Sequence, residues 1–347
     1  MVKNIYFIVT EEHFMANYTN LLDHLREFNI PIDIISVPSY NNVGMRDRLF
    51  NGKSILKKIK NKVVTILGNQ ISDSIIIYSN AEGYMLFNRE YWMPSMVNCK
   101  EVLLQHGILP IVINKYEHIK SLVFNTLFWF LPKYMKYGGN FPQVRADMLI
   151  VWGQIQKKFC INNYNWLDNQ ILVSGKLLKP LYEHCDIHKN TALFLLQDYS
   201  NQYGITKAES ICNIQNVIDI IAPQVDKLYI RRHPKMPENY YDQLCLNEKC
   251  VISKGLSLNE DMGRASIIVS FCSAGLLDAY VGGKKIIAIR IPKIPDADYA
   301  IFENAIQLNK LKDLSLQSYS TEINSDYFNV DNNQLEICRN ILNLKLL

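Results

Sequence analysis

Two short stretches in the second half of the chain carry side chains suited to gripping a phosphate. Arg231-Arg232-His233-Pro234-Lys235 follows an apolar run, Leu228 to Ile230, that reads as a strand. Guanidinium groups match phosphate oxygens in a planar fork, and a lysine and a histidine add further positive charge. Pro234 biases His233 toward an extended backbone, so the imidazole projects from the strand end instead of joining a helix. The second stretch, Ser270-Phe271-Cys272-Ser273-Ala274-Gly275, follows the apolar run Ile267 to Val269 and opens a helical pattern (Leu276, Leu277, Tyr280) closed by Gly282-Gly283. Ser273 is a natural N-cap, and the first N–H groups beyond it have no acceptor within the helix. A helix start at the carboxyl end of a parallel strand is a ready phosphate site. With both strands in one sheet, the cations and the helix start meet at one crevice, which is the environment a nucleotide phosphate needs.

The elements that position these residues follow a βα rhythm. Asn4 to Val9 is a buried strand, His13 to Phe28 has apolar residues at helical spacing, and Ile32 to Val37 is a second strand, with no GxGxxG between them. Ser74 to Tyr78 leads into Glu82-Gly83, and Glu101 to Leu104 leads into Gln105-His106-Gly107, so a polar residue and a glycine follow a strand end in both places. Strands are also expected at Asp147 to Trp152 and Gln170 to Val173. A second set begins at Thr191 to Leu196 and continues with a helix around Ile211 to Ile221 and strands at Lys227 to Ile230, Val251-Ile252, Ile267 to Val269 and Lys285 to Ile289. The tail closes on a helix, Asn333 to Leu344. The simplest architecture is α/β, with two doubly wound domains joined near Ser174 to Lys189 and facing a cleft.

Composition narrows the function classes. At 347 residues there is room for two cores, and a net charge of +4 gives no case for nucleic acid, which needs a dense basic face. The eight cysteines lack metal-ligand spacing and read as reduced core residues of a cytosolic protein. No signal-peptide core and no apolar run of about 20 residues is present, so the expectation is a cytoplasmic protein that spans no membrane. Lys53, Lys57, Lys58, Lys60 and Lys62 around Ile55, Leu56 and Ile59 form either a solvated face or a surface for anionic lipid. The aromatic stretch Ser121 to Tyr137 is either a buried helix or a lid near lipid.

Taken in order, QHG (Gln105 to Gly107), VWG (Val151 to Gly153), VSG (Val173 to Gly175), RRHPK (Arg231 to Lys235) and SFCSAG (Ser270 to Gly275) resemble bacterial GT-B-fold glycosyltransferases that build capsule or lipopolysaccharide. The resemblance covers residues 75–290. The His-Pro pair followed by the paired-serine loop is similar to sialyltransferases, polysialyltransferases and Kdo transferases, which use CMP-activated sugars. The same outline resembles CDP-glycerol glycerophosphotransferases of teichoic acid synthesis. The resemblance implies an acceptor domain over 1–175, a nucleotide-sugar donor domain over 176–325, and a helix within 326–347 that crosses back to the first domain. It implies that His233 contacts the donor's phosphate or assists departure of the nucleotide, and that Arg231, Arg232, Ser270, Ser273, Ala274, Gly275 and Gly175 surround the donor.

The acidic motif of the sialyltransferase groups is half present, with Ala81 standing where the first acid would be before Glu82-Gly83. Glu82 and His106 are therefore rival general bases. An inverting transfer needs one such group for the acceptor's proton and positive charge opposite it for the leaving phosphate. No DxD-like pair follows a strand, so no metal requirement is expected. The expected partners are a nucleotide-sugar donor and a glycan or glycolipid acceptor, with peripheral contact at the inner membrane. The competing classes are a CDP-polyol phosphotransferase, a UDP-sugar 2-epimerase-like isomerase and a non-catalytic sugar-binding protein.

Overall fold

The computed structural model describes residues 2–9, 19–36, 73–79, 99–105, 108, 146–164, 166–177, 190–200, 203–233, 236–254, 257–329 and 334–344. Glu82, His106, the lysine-rich segment and the aromatic stretch lie outside these residues. The chain divides into two compact units, one formed by residues 1–178 with 329–347 and the other by residues 179–328.

The first unit is built on a six-stranded sheet of β1 (Asn4–Val9), β2 (Ile32–Ser36), β3 (Ser74–Ser79), β4 (Lys100–Leu104), β5 (Met148–Val151) and β6 (Ile171–Val173), in the order β2-β1-β3-β4-β5-β6. Every pairing is parallel. A parallel strand covered on both faces must be apolar at consecutive positions, which is why NIYFIV and SIIIYS read as runs and do not alternate. The alternation appears instead in which core each residue joins. Tyr6, Ile8, Ile76 and Tyr78 pack on one face with Cys160 and Trp166, while Ile5, Phe7, Ile75 and Ile77 pack on the other. Helix α1 (Thr19–Arg26) covers that second face with Leu21, Leu22 and Leu25. Burying each such side chain contributes about 1.5–3 kcal/mol. Helix α2 (Gln154–Tyr164), which its polar-rich sequence did not announce, contributes Cys160 to the first face.

The second unit has β7 (Thr191–Leu195), α3 (Lys207–Ile221), β8 (Lys227–Arg231), β9 (Cys250–Ile252), α4 (Leu258–Arg264), β10 (Ile267–Ser270), α5 (Ala274–Val281) and β11 (Lys285–Arg290). Short strands β12 (Phe302–Glu303), β13 (Ile306–Gln307) and β14 (Glu322–Ile323) follow, then α6 (Gln334–Leu342), which belongs to the first unit. The main sheet runs β13-β11-β10-β7-β8-β9, so its first strand is central and the chain turns in opposite directions on its two sides. That reversal creates a crevice past the carboxyl ends of β7 and β10, where ligands of doubly wound sheets bind. Helix α3 starts with a reciprocal cap. Thr206 Oγ1 accepts from the Glu209 amide at 3.2 Å, and Glu209 Oε2 accepts from the Thr206 amide at 2.8 Å.

Among the described residues the cysteines are free thiols. Cys99, Cys160 and Cys338 are buried, but Cys212 and Cys245 are exposed, which corrects the expectation that all of them belong to cores. Among the same residues no helix is long and apolar enough to cross a membrane.

Candidate active site

In the second unit, β8 and β10 are the two neighbours of β7, with Leu195 paired to Arg231 on one side and to Ser270 on the other. The cationic stretch and the serine loop therefore leave the same edge of the sheet two strand spacings apart, about 10 Å. His233 is exposed just beyond β8, while Arg231 and Arg232 are half-buried. Each arginine has a defined anchor. The Arg231 guanidinium pairs with the carboxylate of Asp261 on α4, which also accepts from the Ser253 hydroxyl past β9. The Arg232 amide donates to Tyr241 Oη at 2.8 Å, and its guanidinium donates to the Met236 carbonyl.

The serine loop divides its labour. The Ser270 hydroxyl is fully buried and donates to the Leu195 carbonyl at 2.8 Å. That bond ties β10 to β7. Ser273 does cap α5, accepting from the Gly275 amide at 3.2 Å, while its carbonyl accepts from the Leu276 amide at 3.1 Å. With two first-turn amides so engaged, the Ser273 hydroxyl hydrogen and the Ala274 amide are the donors left at the helix tip. Gly275 lets α5 approach the sheet, since a Cβ there would lie 2.8 Å from Leu195 Cδ1. The turn itself is pinned from β7, because Tyr199 Oη donates to the Cys272 carbonyl at 3.0 Å and its ring lies 6.2 Å from that of Phe271. Burial pushes the Cys272 thiol up to about 12, with the nearby Asp298 carboxylate adding to it, so that sulfur stays protonated and unreactive.

In the first unit three of the sequence motifs meet at the carboxyl edge of β4, β5 and β6. Gln105 Oε1 accepts from the Trp152 amide at 3.0 Å, and its carbonyl accepts from Trp152 Nε1 at 3.1 Å. The Ser174 amide donates to the Val151 carbonyl at 2.9 Å, and buried Lys176 places its ammonium 5.8 Å from the centre of the Trp152 ring. Gly175 has φ +69°, and a Cβ on it would run into the carbonyl of Asn329, whose amide donates to the Trp152 carbonyl at 2.8 Å. What lies against the Gly175 backbone is the returning chain at Asn329.

Asp261 and Ser253 were missed from sequence. The available signal was the Ser257-x-x-Glu260 box that starts α4, with the Ser257 hydroxyl accepting from the Glu260 amide at 3.2 Å and Asp261 following inside the first turn.

Solved structures share the fold of the whole chain. The glycotransferase of kitacinnamycin superposes with a TM-score of 0.57 at 8% identity, covering 99% of this chain and 95% of its own. CalG4, the calicheamicin glycosyltransferase, gives 0.51 at 12% identity over 98% and 94%. The UDP-N-acetylglucosamine 2-epimerase of Rickettsia bellii gives 0.57 at 10% identity over 99% and 96%. These likenesses establish an α/β protein of the GT-B fold. The sequence goes further: residues 41–290 match the model of the alpha-2,8-polysialyltransferase (POLYST) family, and the chain belongs to it. It is a glycosyltransferase. No curated protein matches the chain.

Proposed function

We propose that the protein is an inverting, metal-independent glycosyltransferase that moves a CMP-activated sugar of the sialic acid or Kdo type onto a bacterial capsule or lipopolysaccharide acceptor. The observation that carries this reading is the shared sheet edge: His233 and Arg232 past β8 and the Ser273-capped tip of α5 past β10, on either side of β7. Cationic side chains and a helix start leaving strand ends about 10 Å apart can converge on one phosphate placed between them. His233 stabilises the departing phosphate, and Ser273 with the Ala274 amide holds its oxygens. Glu82 or His106, both following strand ends of the first unit in sequence, takes the acceptor's proton. Family membership favours a CMP-sugar over the UDP-sugars of the epimerase structures. The acceptor brings the enzyme to the inner face of the membrane.

The test is a thermal-shift panel of CMP, CDP, UDP and GDP, followed by turnover with the best donor. CMP is expected to give the largest stabilisation, EDTA to leave turnover intact, and His233→Ala to lower kcat by about 10²-fold or more. Preference for UDP or near-normal turnover of the variant refutes the reading.

A further inference from the structure

We propose that Tyr203 and Asp298 form the subsite for the donor's base, with the Tyr203 ring against the flat face of a cytosine and the Asp298 carboxylate accepting from its exocyclic amine. This inference rests on the CMP-sugar reading above and names the groups that select cytosine.

Three loops meet here, all within the second unit. Tyr203 lies between β7 and α3, Cys272 between β10 and α5, and Asp298 in the segment after β11. The Asp298 carbonyl accepts from the Cys272 thiol at 2.9 Å, one residue before the Ser273 cap. Lys293 closes the other side, its ammonium donating to the Gly204 carbonyl at 3.2 Å and to Glu209 Oε1 at 2.7 Å. The segment that carries Asp298 is therefore tied both to the turn that leads to the tip of α5 and to the turn that carries Tyr203.

Two features point to a ligand. Aromatic rings run outward from the core, Phe194 to Phe271 at 5.7 Å, Phe271 to Tyr199 at 6.2 Å and Tyr199 to Tyr203 at 6.3 Å, and the last of them is 46% exposed. Nucleobases stack on such a ring. Asp298, in contrast, is only 9% exposed, and its Oδ2 is buried with no hydrogen-bond partner among the described residues. A buried acceptor left unfilled destabilises the fold, and an N–H supplied by a ligand removes that cost. The Tyr203 hydroxyl faces this carboxylate, since burial first and Asp298 next push it above the ordinary phenol value. Solvent does not reach Oδ2, so the base gains it when the Tyr203 side chain rotates to another staggered position and its ring lies on the base.

The carboxylate then discriminates between pyrimidines. Cytosine presents an amine where uracil presents a carbonyl oxygen. A carboxylate accepts from the first and opposes the second, a difference worth roughly ten- to a hundredfold in affinity.

The experiment titrates CMP and UMP into the full chain by calorimetry for wild type, Asp298→Asn and Tyr203→Ala. Wild type is expected to favour CMP by roughly ten- to a hundredfold, and Asp298→Asn, whose amide pairs with either base, to bring the two within about threefold. Tyr203→Ala is expected to weaken both nucleotides by about fivefold or more, because the stacking face is lost for either base. A purely structural Asp298 would lower both affinities alike and keep their ratio. An unchanged ratio in Asp298→Asn, or wild-type affinities in Tyr203→Ala, therefore overturns the inference. If CMP binding is in that case still weakened by His233→Ala, the donor-site reading stands without this subsite. If wild type binds no nucleotide or prefers UMP, the functional reading fails as well. Should Asp298→Asn not fold, wild type is titrated with CMP dimethylated at its exocyclic amine. Weakening by about tenfold relative to CMP supports the inference, and an affinity within about twofold of CMP overturns it.

Discussion

Replacing Gly175 with alanine separates two roles for that residue, and the structure sets the magnitude. Its φ of +69° is left-handed, which costs an L side chain about 1–2 kcal/mol. The new methyl would also fall inside the van der Waals envelope of the Asn329 carbonyl oxygen and 3.0 Å from its carbonyl carbon. Backbone cannot rotate aside as a side-chain tip can, so Asn329 must move, and its 2.8 Å bond to the Trp152 carbonyl is stretched or lost at about 1 kcal/mol. The total is roughly 2–3 kcal/mol. For a unit made of residues 1–178 and 329–347, each kcal/mol moves Tm by about 2–4 °C, so Gly175→Ala should melt about 4–12 °C lower. Calorimetry of both proteins, with CMP titrated into each, gives the answer. A variant that melts like wild type but no longer binds nucleotide would refute the reasoning and place Gly175 at the donor site.

Ser270→Ala removes the buried hydroxyl that donates to Leu195 and should lower Tm by about 2–4 °C while leaving CMP affinity within about twofold; lost affinity with unchanged Tm would contradict this. Glu209 is held down to about 2, first by the hydrogen bond from Lys293 and then by those from Thr206. A depressed carboxyl stabilises the fold fully above its ordinary value near 4.5 and loses that contribution as pH falls toward about 2. Denaturant unfolding at pH 7, 4 and 3 should therefore show a shallower acid decline for Glu209→Gln than for wild type. Identical declines would show that the Thr206 and Lys293 contacts do not persist in solution.

What was legible in the sequence were elements whose pattern is set by burial on both faces. Runs such as NIYFIV, SIIIYS and IIVS admit little but a central parallel strand, and each one is found within a residue or two of its expected bounds. The end of α5 was equally plain, with Gly283 in the left-handed conformation one residue past the cap. Helices α2 and α4 were not, because QIQKKFCINNY and LNEDMGR bury only a few residues each and offer no long apolar stripe. At the candidate site, sequence placed the cations and the helix start at strand ends but could not say which hydroxyl turns inward. Ser270 and Ser273 are three residues apart in the same loop, yet one bonds the neighbouring strand and the other caps the helix. Nor does any local pattern reveal a partner 30 positions away, which is why Asp261 surfaced only with the packing of α4 beside β8.

The return of residues 329–347 to the first unit bears on how the protein is made. Ile337, Cys338 and Ile341 of α6 share a core with Leu21, Leu22 and Leu25 of α1, so that core stays incomplete until α6 has left the ribosome. The second unit, a continuous segment, has everything it needs earlier. Synthesis from the N-terminus thus does not dictate maturation in that order: the later-encoded half can be native while the earlier half still waits, with apolar surface for chaperones to shield. Shortening the chain before residue 334 would leave the part of that core that α6 covers permanently bare.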